Sequence, residues 1–256
     1  MQLEIWSDIA CPWCAIGLRR LESALETFPH RDDVQIRWRS FELDPRAPAR
    51  VDTAGGYAAK LAAKYGTDLD RAQGMIDQMT DTAAQDGWRF DFDRIAPGNT
   101  FDAHRLLHLA AELGTQHAVK ERFLTGYLEE GVAIGDRDQL ALLAVDAGLD
   151  AERVTEVLDG DAYADAVRAD EQQARAFGIG GVPFFVIDRA YAVEGAQPSG
   201  VLRGALDQAW AARRELQLVG ASATSAVPSG ADTPDGGHTH GDHATDAACS
   251  DGSCRI

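Results

Sequence analysis

Two cysteines separated by two residues, in Cys11-Pro12-Trp13-Cys14, are the part of this chain best suited to chemistry. A short strand-like run, Leu3-Glu4-Ile5-Trp6, precedes them, and a helical stretch from Ala15 to Phe28 follows. A Cys-x-x-Cys at a strand-to-helix junction is the arrangement of a thiol–disulfide redox centre. The first cysteine then lies at a helix N-terminus, where free N–H groups and the helix dipole favour a thiolate. Such surroundings lower a cysteine pKa from about 8.5 to between roughly 3.5 and 7.5. The Cys11 thiolate is expected to attack a disulfide, and Cys14, one helical turn on, to resolve the mixed disulfide. Pro12 pre-sets the φ of a first helical turn, which suits a helix start better than a zinc knuckle.

Other residue groups compete for a role. Cys249 and Cys254 complete a set of four cysteines, enough thiolates for a closed structural zinc site. They stand almost a whole chain away from Cys14, however, so the redox reading is preferred. Cys249 and Cys254 also follow His238, His240 and His243 in an acidic stretch. Three readings stay open there: a second redox pair serving Cys11 and Cys14, a labile metal tract with those histidines as ligands, or idle disorder. Reach permits the first, since about 30 flexible residues span about 30 Å and give a tethered concentration in the millimolar range. His104 and His108 stand four apart on a predicted helix, without the Glu that a zinc hydrolase places after the first His. Asn99 is expected to cap that helix, with Asp102 in its first turn.

Composition narrows the classes. The formal net charge is −17, from 41 acidic and 24 basic residues over 256 positions. Nucleic acid and anionic membranes are therefore poor partners, because both call for clustered Lys and Arg. No run approaches the roughly 18 apolar residues of a membrane span. The apolar stretch Ile9 to Leu18 is preceded by Glu4 and Asp8 and followed by Arg19, the reverse of a secretion signal. The expected compartment is the cytoplasm, where thiols are kept reduced and cysteine pairs tend to be catalytic, sensing or metal-binding.

The elements that must position these residues follow from periodicity. The first 45 residues read β–α–β, with Val34 to Phe41 alternating as a second strand. From Val51 to Phe177 the pattern is helical: Ala54–Tyr65, Leu69–Asp86, Thr100–Leu113, Gln116–Glu129, Arg137–Ala147, Ala151–Leu158 and Ala162–Phe177. Gly66, Gly87, Gly114, Gly148 and Gly178 sit where left-handed helix ends belong, and Asp68, Asn99, Asp136, Asp150 and Asp161 where N-caps belong. Strands return at Pro183–Ile187 and Ala190–Val193, joined by an Asp188-Arg189 turn, before an amphipathic helix from Pro198 to Leu216. After Val219 the chain is Gly, Ser, Thr, Ala, Asp and His, too polar to offset its ordering entropy, so residues 219–256 are expected to be disordered. The expected architecture is α/β: a thioredoxin-like domain of residues 1–50 and 178–218, a helical insertion domain of 51–177, and the tail.

Four segments carry a resemblance to the DsbA-type thioredoxin-fold oxidoreductases, most closely to their FrnE-like branch. They are Asp8-Ile9-Ala10-Cys11-Pro12-Trp13-Cys14, Phe41-Glu42-Leu43-Asp44-Pro45, Asn99-Thr100-Phe101-Asp102-Ala103-His104, and Gly178-Ile179-Gly180-Gly181-Val182-Pro183-Phe184-Phe185. The resemblance implies a cis Pro183 lying against the cysteines. Val182 would then offer its main chain to an extended substrate, an arrangement tolerant of substrate sequence. It also implies a Trp13 that packs beside the sulfurs, protein thiols or disulfides as substrates, no dissociable cofactor, and recycling by a thioredoxin or glutathione system. Relatives often carry a buried carboxylate six residues before the nucleophile. Here Ile5 stands at that position; Asp8 or Glu4 is the candidate substitute, but an acid there reads first as an exposed strand-end residue. Asn99-Thr100 is shared with kappa-class glutathione transferases and chromene-carboxylate isomerases, which makes a glutathione-dependent isomerase or transferase the first alternative. A metal- or redox-sensing protein using the tail is the second.

Overall fold

The computed structural model describes residues 1–51, 55–224 and 253–255. Strand β1 (Gln2–Ser7) leads into α1 (Pro12–Glu26), and β2 (Gln35–Ser40) pairs parallel to β1, with Ile5 opposite Trp38. Seven helices follow: α2 (Gly56–Tyr65), α3 (Leu69–Gln85), α4 (Phe101–Glu112), α5 (Gln116–Leu128), α6 (Arg137–Asp146), α7 (Ala151–Asp159) and α8 (Ala164–Ala176). The chain then returns to the sheet with β3 (Phe184–Ile187) and β4 (Tyr191–Glu194), and closes on α9 (Ser199–Thr224). β3 is antiparallel to both β1 and β4. With β5 (Ser253–Arg255) the sheet order is β2-β1-β3-β4-β5.

The pleat decides what each strand residue faces. Leu3, Ile5, Phe185, Ile187 and Val193 join the main core with Leu18 and Leu21 of α1 and Leu202 and Leu206 of α9. Trp6 and Val186 belong to a second cluster with Ala174 of α8 and Ile179. The inserted helices therefore do not stand apart: their Leu106, Phe123 and Leu128 belong to the same core as β1.

Local sequence signals account for most boundaries. All five glycines expected at helix ends have positive φ, from 62° at Gly66 to 94° at Gly148. Asp68, Asp136 and Asp150 cap α3, α6 and α7 with side-chain oxygens accepting backbone N–H groups. Asp188 and Arg189, with φ of 49° and 56°, make the tight turn between β3 and β4.

Two expectations are corrected. Thr100, not Asn99, is the α4 N-cap residue, because Asn99 uses its side chain one step earlier and accepts the Phe101 N–H at 2.9 Å. Tyr163, at φ 63°, rather than Asp161 precedes α8. α9 continues past Val219 to Thr224, and Ser253–Arg255 pairs with β4 in register Ala192–Cys254. An open sheet edge offers ladder hydrogen bonds to any extended segment.

Candidate functional site

Cys11 is the N-cap residue of α1, in extended conformation at the C-terminal end of β1, and the Cys14 N–H donates back to its carbonyl at 3.0 Å. Both cysteines are buried free thiols, with 5% of Cys11 and none of Cys14 exposed. Any partner therefore meets Cys11 first. Trp13 stands between them in the chain and is 43% exposed, a large apolar side chain open to solvent. The Val182–Pro183 peptide bond is cis, and Cys11 Sγ donates to the Val182 carbonyl at 3.5 Å. Gly17, on α1, makes room for Pro183: a Cβ built there would lie 2.9 Å from the proline Cγ. The structure thus gathers Cys11, Cys14, Val182 and Pro183 in one place from opposite ends of the chain, with Trp13 on the rim.

The two thiols perturb each other's ionisation in opposite directions. The Cys14 hydrogen bond, followed by burial, pushes the Cys11 thiol well above its ordinary value. For Cys14, burial opposes ionisation, but the Cys11 hydrogen bond, the Lys120 charge, the Ser7 hydroxyl and a backbone N–H outweigh it and hold the thiol down. The pair therefore loses its first proton readily and its second reluctantly. This differs from the sequence expectation of a lowered Cys11 alone, because the helix terminus acts on two coupled sulfurs and the nearby cation lies on the Cys14 side.

Behind the cysteines lies a buried polar group that sequence reasoning placed on the surface. Asp8 is 1% exposed, accepting the Leu43 N–H at 2.8 Å and facing His104 Nε2 at 3.3 Å. Burial alone would raise its pKa, yet the His104 hydrogen bond and charge, the Leu43 N–H and Lys120 keep it below the usual carboxylate value. An ionised Asp8 fixes the His104 tautomer, since the nitrogen facing it must donate. His104 itself is held below its ordinary pKa by burial, and its Nδ1 has no partner among the described residues. Lys120, on α5, is fully buried, and desolvation lowers its pKa while Cys14, Asp8 and Cys11 oppose that. Lys120 is thus brought to the Cys14 thiol by inserted helix α5, and His104 to Asp8 by inserted helix α4.

Glu4 is buried too, paired with Arg39 and, at 3.0 Å, with Arg189. Arg39 also reaches Asp170 of α8 at 2.7 Å, and Asp170 accepts the Ser40 N–H at 3.0 Å. His108 is spent on Ser40 and Asp170, so the two histidines of α4 face different carboxylates rather than one metal. Cys249, His238, His240 and His243 lie outside the described residues, and Cys254 is placed only by its backbone pairing with Ala192.

Sequence reasoning missed His104 as a partner of Asp8, and missed Lys120 altogether. A signal for Lys120 was present. Val119, Phe123, Leu124 and Tyr127 form the apolar stripe of α5, and Lys120 lies within that stripe.

Comparison with known proteins agrees with this geometry. The model of the DSBA-like thioredoxin domain matches residues 2–207. An uncharacterized protein of Bacillus subtilis, YwbO, is 26% identical over 189 residues, covering 73% of this chain and 86% of that protein. The crystal structure of a probable DsbA oxidoreductase from Streptomyces coelicolor is 48% identical, with a TM-score of 0.78 over 82% of this chain and 90% of that one. A 2-hydroxychromene-2-carboxylate isomerase shares the fold at 16% identity and a TM-score of 0.62, over 84% of this chain and 99% of that one. Among the described residues no helix is long and apolar enough to cross a membrane. The matched region takes in the Cys-Pro-Trp-Cys turn, the inserted helices and the cis proline alike, and the chain belongs to the DSBA-like thioredoxin domain family.

Proposed function

We propose that this protein exchanges thiols and disulfides with protein substrates, Cys11 being the nucleophile and Cys14 the resolving thiol. The observation that carries this reading is the juxtaposition of Cys11 Sγ with the Val182 carbonyl, 3.5 Å apart beside a cis proline, with a second buried free thiol, Cys14, one helical turn on. A proton shift from Cys11 to Cys14 leaves the thiolate on the more exposed sulfur. That thiolate attacks one sulfur of a substrate disulfide, and the other substrate sulfur leaves with the electron pair. Cys14, losing its proton, then attacks Cys11 Sγ, which forms the Cys11–Cys14 disulfide and releases the reduced substrate. The Val182 main chain aligns an extended substrate, and Trp13 covers the apolar side of the exchange. No dissociable cofactor takes part. The direction of net flow follows from the couple's potential against the compartment, here the cytoplasm, with a thioredoxin or glutathione system as recycling partner.

Insulin reduction and refolding of scrambled ribonuclease test the reading with wild type, Cys11→Ser and Cys14→Ser. The expected result is loss of both activities in Cys11→Ser and accumulation of a mixed disulfide in Cys14→Ser. Full activity in Cys11→Ser would refute the assignment. Small-molecule thiol turnover surviving in that variant would favour a glutathione-dependent isomerase or transferase instead.

A further inference from the structure

A cavity of about 470 Å³ opens beside the redox pair, between the turn after β2, helix α2 and the segment before α4. Its wall includes Asp8 and Ala10, the latter adjoining Cys11 in the chain. Tyr57 and Tyr127 line it as well, and the Cys11 charge reaches both phenols. The cavity is therefore continuous with the surroundings of the nucleophile.

Its charge runs against that of the molecule. Arg46, Lys60 and Lys64 line the wall of a protein whose net charge is −17. Of the two carboxylates present, Asp8 is buried and already engaged by His104 and the Leu43 N–H, which leaves Asp44, whose charge acts on Lys60, against three cations. Lysine is also scarce here: Lys60, Lys64 and Lys120 are the three lysines of the whole chain. Two line this cavity and the third is buried behind Cys14. The successive-turn spacing of Lys60 and Lys64 puts both on one face of α2, and burial and the Lys64 charge press the Lys60 pKa down against the opposing charge of Asp44.

We infer that Arg46, Lys60 and Lys64 form a carboxylate-binding subsite beside Cys11, selecting thiols and disulfides that carry acidic groups near the reacting sulfur. The inference rests on the thiol–disulfide exchange proposed above. Two sources share the chemistry: a small anionic thiol, or a protein cysteine flanked by Asp or Glu. With the carboxylates on the cations, the ligand thiolate attacks Cys11 Sγ of the oxidised pair. The Cys11–Cys14 bond breaks, and its electron pair leaves on Cys14. A second ligand thiolate attacks the ligand sulfur of the mixed disulfide and frees Cys11. Two ligand thiols become one disulfide, and their two protons restore the two cysteine thiols.

Stopped-flow reduction of the oxidised full-length protein tests this with four probes: glutathione and three cysteine peptides with Glu, Gln or Lys flanks. At low ionic strength the Glu-flanked peptide is expected to react about tenfold faster than the Gln-flanked one, and the Lys-flanked one slowest, a preference that salt erodes. In the double variant Lys60→Gln, Lys64→Gln the Glu-to-Gln rate ratio falls to about one, and Lys60→Arg, Lys64→Arg restores it. If glutathione shows the same lysine dependence, the ligand is a small anionic thiol; if only the peptide does, it is an acidic protein segment. Equal rates for Glu and Gln flanks in wild type, or equal losses for all probes in the double variant, would overturn the subsite. Failure of every probe to reduce the wild-type pair would overturn the exchange reading itself.

Discussion

Replacing Lys120 by Met tests whether the inserted helices set the chemistry of the cysteines. Lys120 is fully buried, and its charge is among the influences holding Cys14 below its ordinary pKa. Two unit charges roughly 4–8 Å apart at an effective dielectric of about 20 interact by about 2–4 kcal/mol. At 1.36 kcal/mol per pKa unit, loss of the ammonium should raise the first pKa of the pair by about 1.5–3. The readout is the ultraviolet absorbance of the thiolate followed against pH in reduced protein, with Cys14→Ser separating the two sulfurs. The thiolate belongs to the reduced form, so its loss also makes the disulfide relatively more stable and drives the potential more negative. Met is close in size to Lys and carries no desolvation cost, and Asp8 keeps His104 and the Leu43 N–H, so the fold should survive. A midpoint that moves by less than about half a unit in folded Lys120→Met would refute the reasoning, because a cation felt so weakly cannot be the counter-charge of the pair.

Other perturbations separate the parts of the site. Arg39→Ala leaves Glu4 and Asp170 buried without their shared guanidinium and should cost about 3 kcal/mol, read as a melting temperature lowered by about 6–12 °C. Gly17→Ala drives a methyl group against Pro183 and should cost about 1–3 kcal/mol while slowing insulin reduction, since the helix carrying Cys14 must move off the proline. Burial and the neighbouring Glu171 raise Glu42 to about 7 against the Arg168 pair, so the folded state binds its proton more tightly than the unfolded chain does. That contribution is present at pH 4.5 and below and is lost as pH rises through about 7. Glu42→Gln should remove this loss, and denaturant midpoints of the two proteins measured from pH 4.5 to 8 should converge at low pH. Parallel midpoint curves would show that Glu42 does not titrate there.

What could be read from the sequence was local, and what could not was a matter of partners. Cys11 and Cys14 announce themselves by spacing, the five helix-ending glycines by position, and Asp68, Asp136 and Asp150 by the short reach of a carboxylate to its own backbone. Pro183 was legible as part of a motif seen elsewhere, not from its own chemistry. Asp8 was misread because an acid at a strand end is ordinarily solvated, and nothing near it in the chain reveals that His104 and Leu43 will cover it. Glu4 was misread for the same reason, since Arg39 and Arg189 come from other strands and turns. A buried charge is decided by whether another segment brings its complement, and such long-range pairing leaves no period in the chain. The Tyr163 start of α8 belongs with these, because an aromatic residue at positive φ is stabilised by its surroundings rather than by propensity.

Lys120 acts on Cys14 from α5, His104 engages Asp8 from α4, and Arg46, Lys60 and Lys64 line the neighbouring cavity from the turn after β2 and from α2. The inserted half of the molecule is therefore a tuning element. Grafting the Cys-Pro-Trp-Cys turn onto another scaffold would carry the sulfurs across and leave their counter-charges behind. On the exchange and the subsite proposed above, drift in α4 and α5 would reset how strongly the couple oxidises, and change in α2 what it prefers to oxidise. Neither requires a substitution in the motif by which such enzymes are found.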